Sequence, residues 1–276
     1  TNMSTPAKKP RTVSPLQLLY HPGIPGRGEY IRLVLEASGT PYTDVANSQK
    51  GGYDTVLSAM DPKSTTSLHN NPPIFAPPAL LIPAENLSEA TSGDPLLISQ
   101  TPSILLHLST HHSVLSPVPN TPANQAHTSQ ALHTALDLSN ECHDVHHPIA
   151  VSLYYEDQKD AALRRATDFR ENRLPKFLSY FERLLKGNEE GGKGKGRYLV
   201  GEGLTVADTT FWQVLDGLFF AFPKEMDARQ KDYPLTFDTF YPGVKEEPGI
   251  KEYLASDRRL PYSMGLFRKY PELDRQ

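Results

Sequence analysis

Eight of the ten histidines fall between residues 107 and 147. The densest group, His143-Asp-Val-His-His147, sets His143 and His147 four residues apart. On a helix that spacing puts both imidazoles on one face, where they could grip a metal ion. No HExxH pattern and no second ligand set accompanies them, so no metal is expected and the pair reads as helix-surface or pocket-lining histidine. Gly187-Asn-Glu-Glu-Gly-Gly192-Lys193 has the spacing of a phosphate-binding loop. Gly194, however, stands where a Ser or Thr would hold magnesium, and the run follows a helical pattern where a phosphate loop follows a strand. It reads as a solvated connector. The single cysteine, Cys142, excludes an intramolecular disulfide and suits a reducing compartment. Lys8-Lys-Pro-Arg11 lies in a polar stretch, residues 1–13, read as a solvated tail rather than a localisation signal, with Met3 as the expected start.

The elements that must position such groups follow from periodicity. Residues 16–20 form a short apolar, strand-like run, and His21 to Gly26 is a loop of chain breakers. From Glu29 the spacing turns helical, with Ile31, Val34, Leu35 and Ser38 on one face and Gly39 closing it. A strand at 42–45, a weak helix at 53–60 and strands at 79–82 and 96–98 come next, and a helix starts after Gln100. Beyond a Ser/His/Pro-rich connector the patterns at 123–147, 157–186, 205–222 and 247–256 are all helical. The 276 residues are 38% hydrophobic and 22% charged, with a net charge of -4. That balance argues against broad nucleic-acid affinity, which needs clustered basic residues. No apolar run approaches the ~20 residues of a membrane span, and the chain opens on no signal-peptide pattern. A soluble, cytoplasmic protein is expected.

The order β-α-β-α-β-β-α followed by helices, with proline just before the third strand, resembles the glutathione transferase superfamily. Four local runs carry the resemblance. Leu18-Leu-Tyr20, then Pro25-Gly-Arg-Gly-Glu29, is similar to the opening of the tyrosine-type classes (sigma, mu, alpha, pi). The loop here is one residue longer, so Tyr20 and His21 compete for the catalytic position, and the strand-end tyrosine of those classes selects Tyr20. Phe75-Ala-Pro-Pro-Ala-Leu80 resembles the family's cis-proline segment, with Pro78 as the cis residue. Pro77 precedes it, where the family pairs a backbone C=O and N–H with the cysteinyl part of glutathione. Pro77 keeps the carbonyl but has no N–H. Ser99-Gln100-Thr101 resembles the pair that binds the γ-glutamyl group, and a helix N-terminus with a hydroxyl suits that carboxylate. Gly203-Leu-Thr205-Val-Ala-Asp208 resembles the capped start of a helix that supports folding of the second domain.

The resemblance implies a thioredoxin-like glutathione-binding domain over 14–110, a connector over 111–122 and an all-helical domain over 123–276. It implies a glutathione transferase of the detoxification type, with glutathione as co-substrate, small hydrophobic electrophiles as partners and a homodimer as the assembly. Tyr20 would be the catalytic residue. Arg27, Tyr53, Pro77, Pro78, Gln100 and Thr101 would hold glutathione, with Asp137 near where a partner-subunit Asp reaches the γ-glutamyl amine in sigma-type dimers. His147, Tyr154 and Tyr155 would line the electrophile pocket. Two alternatives stay open: a carrier of glutathione and hydrophobic ligands with little catalysis, and a protein-interaction module of the same fold.

Overall fold

The computed structural model describes residues 14–87 and 93–276; the tail with its basic run and Met3 lies outside them. Strand β1 (Leu16–Leu19) pairs parallel with β2 (Tyr42–Asp44) through the crossover helix α1 (Gly28–Ser38). Short helices α2 (Val45–Ser48) and α3 (Gly52–Ala59) lead to β3 (Ala79–Ile82) and β4 (Leu96–Ser99). Strand β3 runs antiparallel to both β1 and β4, giving the sheet order β2-β1-β3-β4. The result is a thioredoxin-like layer in which both faces are covered, so the strands read as unbroken apolar runs rather than alternating ones. Leu18, Leu80 and Ile82 face α1 and α4 (Thr101–His111), while Leu19, Ala79, Leu81 and Leu97 face α3. Each such buried leucine or isoleucine contributes roughly 1.5–3 kcal/mol.

The remainder is helical: α5 (Pro122–His146), α6 (Lys159–Asp168), α7 (Leu174–Glu190), α8 (Val206–Ala221), α9 (Pro223–Arg229), α10 (Tyr241–Lys245) and α11 (Pro248–Leu254). The expected single helix at 157–186 is divided by a π turn, Phe169–Arg173. Pro175, in the first turn of α7, has no N–H for the carbonyl four residues back, and the backbone widens there. Helix α8 is buried on nearly every side and packs chiefly against α5. Its capping box is complete: Thr205 caps the Asp208 N–H, and the Asp208 carboxylate accepts from the backbone N–H of Thr205 at 2.7 Å and of Leu199 at 2.7 Å. One core runs unbroken from Leu18 and Ile31 through Leu132 and Leu178 to Trp212. No described helix is long and apolar enough to cross a membrane.

Candidate functional site

A groove of about 410 Å³ opens between the N-terminus of α4, the β3 approach and α5. Arg27, Pro77, Pro78, Gln100, Thr101 and Asp137 all line it. The Pro77-Pro78 bond is cis, as the sequence indicated. Gln100 sits at φ +73°, a region that side chains rarely occupy, and turns the chain so that α4 begins facing the groove. Its neighbour Thr101 is buried, and the Thr101 hydroxyl has no hydrogen-bond partner among the described residues. A buried hydroxyl without a partner at a helix N-terminus is suited to an incoming carboxylate.

Tyr20 stands just beyond β1, with 7% of its surface exposed. Its hydroxyl accepts the Arg27 backbone N–H at 2.8 Å, and no described group accepts its proton. Burial raises the phenol above its ordinary range; the Arg27 N–H and the Arg27 and Arg32 charges offset part of this. Tyr20 therefore stays a neutral donor at neutral pH, with one proton to give. Gly26 makes the approach possible, because a Cβ there would lie 2.2 Å from the Tyr20 hydroxyl. His21 turns away: its Nδ1 meets the Tyr53 hydroxyl at 3.2 Å. The Arg27 guanidinium reaches across to α5 and donates to Asn140 at 2.9 Å.

The other expected residues lie elsewhere. Tyr53 packs beside the α3 core and is not part of the groove lining. Tyr154 is 79% exposed. Tyr155 is buried, stacked on Tyr270, and donates to Glu272 at 3.0 Å, so its hydroxyl is already engaged. His147 is drawn into a cluster with His143 and His146 at the end of α5. Cys142 is buried, and burial pushes its thiol far above the range of a reactive thiol.

Sequence reasoning missed the groups that join the two halves. Glu29 is fully buried and takes charge-assisted bonds from Arg32 at 3.1 Å, from Arg259, and from the Tyr253 hydroxyl at 2.6 Å. Arg259 continues to Asp216 on α8 at 3.0 Å. The i, i+3 pair Glu29/Arg32 was legible, but nothing near Arg259 signalled a partner 230 residues away. Tyr30 likewise donates to Ser139 at 2.7 Å, holding α1 against α5. A larger cavity, about 720 Å³, lies between β2 and residues 257–260, away from Tyr20 and Thr101.

Residues 143–257 match the family described as glutathione S-transferase, C-terminal domain. A glutathione S-transferase of Plasmodium falciparum (isolate 3D7) is 23% identical over 89% of this chain and 98% of its own length. Over most of its length the chain is thus similar to glutathione transferases, and it has their fold. Among solved structures, the pi-class glutathione S-transferase of Onchocerca volvulus matches with a TM-score of 0.57 and 20% identity, covering 87% of this chain and 92% of that one. The sigma-class enzyme of Fasciola hepatica matches with a TM-score of 0.60 and 16% identity, covering 87% and 95%. At these identities the structures speak for the fold alone. Within the superfamily fold, the matched segment contains the buried capping box of α8, and the groove lies ahead of it, against residues 133–140 of α5.

Proposed function

We propose that the chain binds glutathione in the groove and transfers its sulfur to small hydrophobic electrophiles. In this reading residues 14–110 form the glutathione-binding domain and 123–276 the helical domain, joined by 111–122. The observation that carries it is the convergence of an unpartnered Thr101 hydroxyl, the N-terminus of α4 and the cis Pro77-Pro78 bond on one groove; Tyr20 is not in its lining and is linked to it through Arg27, a lining residue whose backbone N–H its hydroxyl accepts. Thr101 and the α4 backbone N–H groups take the γ-glutamyl carboxylate, and Gln100 and Asp137 face its amine. Arg27 adds positive potential at the mouth.

A free thiol titrates near ~8.5, and only its thiolate attacks. Tyr20 donates its spare proton to the sulfur, and a hydrogen bond to a charged acceptor is about twice as strong as a neutral one. The thiolate is thereby favoured and the thiol proton leaves to water. The sulfur then forms a bond to the electrophilic carbon as the leaving group departs with its electron pair. The carrier reading keeps one specific support, since Pro77 cannot supply the N–H that would complete a two-bond backbone pairing with the cysteinyl unit. A cytoplasmic setting and a homodimer complete the proposal.

Calorimetric titration with glutathione, followed by conjugation to an aromatic electrophile, tests it. Tyr20→Phe is expected to bind glutathione nearly as the wild type does and to lose about 10²-fold in kcat/KM, the usual cost of one lost donor to developing charge. Unchanged conjugation in the variant would remove Tyr20 from the chemistry. Binding without conjugation in the wild type would establish the carrier.

A further inference from the structure

The last turn of α5 and the residue that caps it carry three imidazoles that the transfer reading does not use. His143, His146 and His147 each bring one ring nitrogen to within 4.8 Å of the other two. In sequence they stand at i, i+3 and i+4, the spacing that stacks side chains on one helix face. The chain around them fixes their tautomers. His146 Nε2 lies 3.0 Å from the Leu266 carbonyl, which can only accept, so Nε2 carries the hydrogen and Nδ1 keeps a free lone pair. That lone pair accepts a hydrogen from His147 Nδ1, 2.5 Å away, and a cation taking its place moves that hydrogen to His147 Nε2. His143 Nδ1 faces the Asp144 carboxylate at 3.3 Å, which by the same logic leaves the lone pair on Nε2. A ring nitrogen tied to a carbonyl or carboxylate while its partner nitrogen faces a shared centre is the outer-shell pattern of histidine metal sites.

We propose that these three histidines form a binding site for a divalent zinc-type ion. Three neutral imidazoles suit zinc, and they leave a fourth position of its tetrahedral geometry for water or an anion. With Zn–N bonds of about 2.0–2.1 Å, tetrahedral nitrogens stand roughly 3.4 Å apart. The His146/His147 pair opens by less than an ångström to reach that, which a small rotation of His147 supplies. The site also has a cation-favouring field. It sits at the C-terminal end of a 25-residue helix, whose dipole places about half a negative charge there. Asp144 adds a carboxylate, while Arg268 and Arg27 lie close enough to oppose it. Those two arginines favour an anion in the fourth position.

Zinc binding is independent of glutathione, so the experiment uses the full chain, stripped with chelator, and zinc ion alone. Calorimetry is expected to show one zinc per chain, and cobalt substituted for it should give the intense visible bands of four-coordinate Co(II). His146 also secures Leu266, so the decisive variants are His143→Gln and His147→Asn, with folding checked by circular dichroism. Each is expected to weaken zinc by at least about 100-fold. His107→Gln is the control, because His107, His111 and His112 form a second ring cluster on α4. It should leave the zinc isotherm unchanged. Absence of binding at about 1 mM zinc would overturn the proposal. So would binding retained by either decisive variant, or binding abolished by the control.

Discussion

Tyr20 shows how a reactive group is set by neighbours that do no chemistry. Its hydroxyl is aimed by one backbone N–H, and that N–H is reachable only because residue 26 has no side chain. Gly26 adopts φ +44°, and an added Cβ would collide with the hydroxyl itself. Gly26→Ala is therefore expected to displace Tyr20 and lower conjugation by about 10–100-fold, approaching the loss in Tyr20→Phe. Gly23→Ala supplies the comparison. Gly23 has a similar φ of +68° but nothing within 4 Å, so it should cost only backbone strain, about 1 kcal/mol, and spare the rate. Steady-state kinetics of both variants beside their thermal midpoints check this. If both alanines reduce the rate equally, loop strain and not the Tyr20 contact is responsible. The choice between Tyr20 and His21 was open in the sequence because the loop length differs by one. In the structure the two rings meet edge to face, 5.2 Å apart, but their partners differ: the Tyr20 hydroxyl accepts the Arg27 N–H, and His21 meets the Tyr53 hydroxyl.

Among the elements, α8 is the one whose sequence signature and structural role coincide most closely. The Thr205 and Asp208 spacing predicted a capped start, and the cap is present with an additional bond from the Leu199 N–H. That extra bond ties the preceding loop to the helix and lies beyond what a four-residue motif can announce. Burial pushes the Asp208 carboxyl up to about 7, while bonds from Thr205 and Leu199 pull it back. Asp208→Ala leaves two buried N–H groups without an acceptor. At roughly 1–3 kcal/mol for each orphaned group, the expected loss is about 2–6 kcal/mol in urea unfolding. A loss under about 1 kcal/mol would mean that water replaces the carboxylate. The divided helix at 159–190 is the converse case. Its apolar period runs on through residues 169–173, and only the proline that follows explains why the backbone departs from an α-helix there.

For the whole molecule, the two halves are one mechanical body joined through charge as well as through a shared apolar core. Glu29, Arg32, Arg259 and Asp216 link α1, residue 259 and α8, so the start of α1 is braced by the far end of the chain. Several large apolar side chains remain exposed outside this arrangement, and among the described residues Phe75 is the most exposed of them. Phe75 is 91% exposed at the rim of the groove, and the homodimer proposed above is taken to cover it with a second copy of the chain. Sedimentation is expected to show a dimer for the wild type and a shift towards monomer for Phe75→Ser. A monomeric wild type would end the homodimer proposal. The sequence by itself determined the alternation of strands and helices, the proline before β3 and the capping pair, because each is written in local spacing; the groove residues followed from the family resemblance. The tertiary structure alone decided that Tyr53 and Tyr155 point elsewhere, that Glu29 meets Arg259, and that His146 joins His143 and His147 around one centre. Those outcomes depend on side-chain direction and on contacts between residues far apart in the chain, which no local pattern encodes.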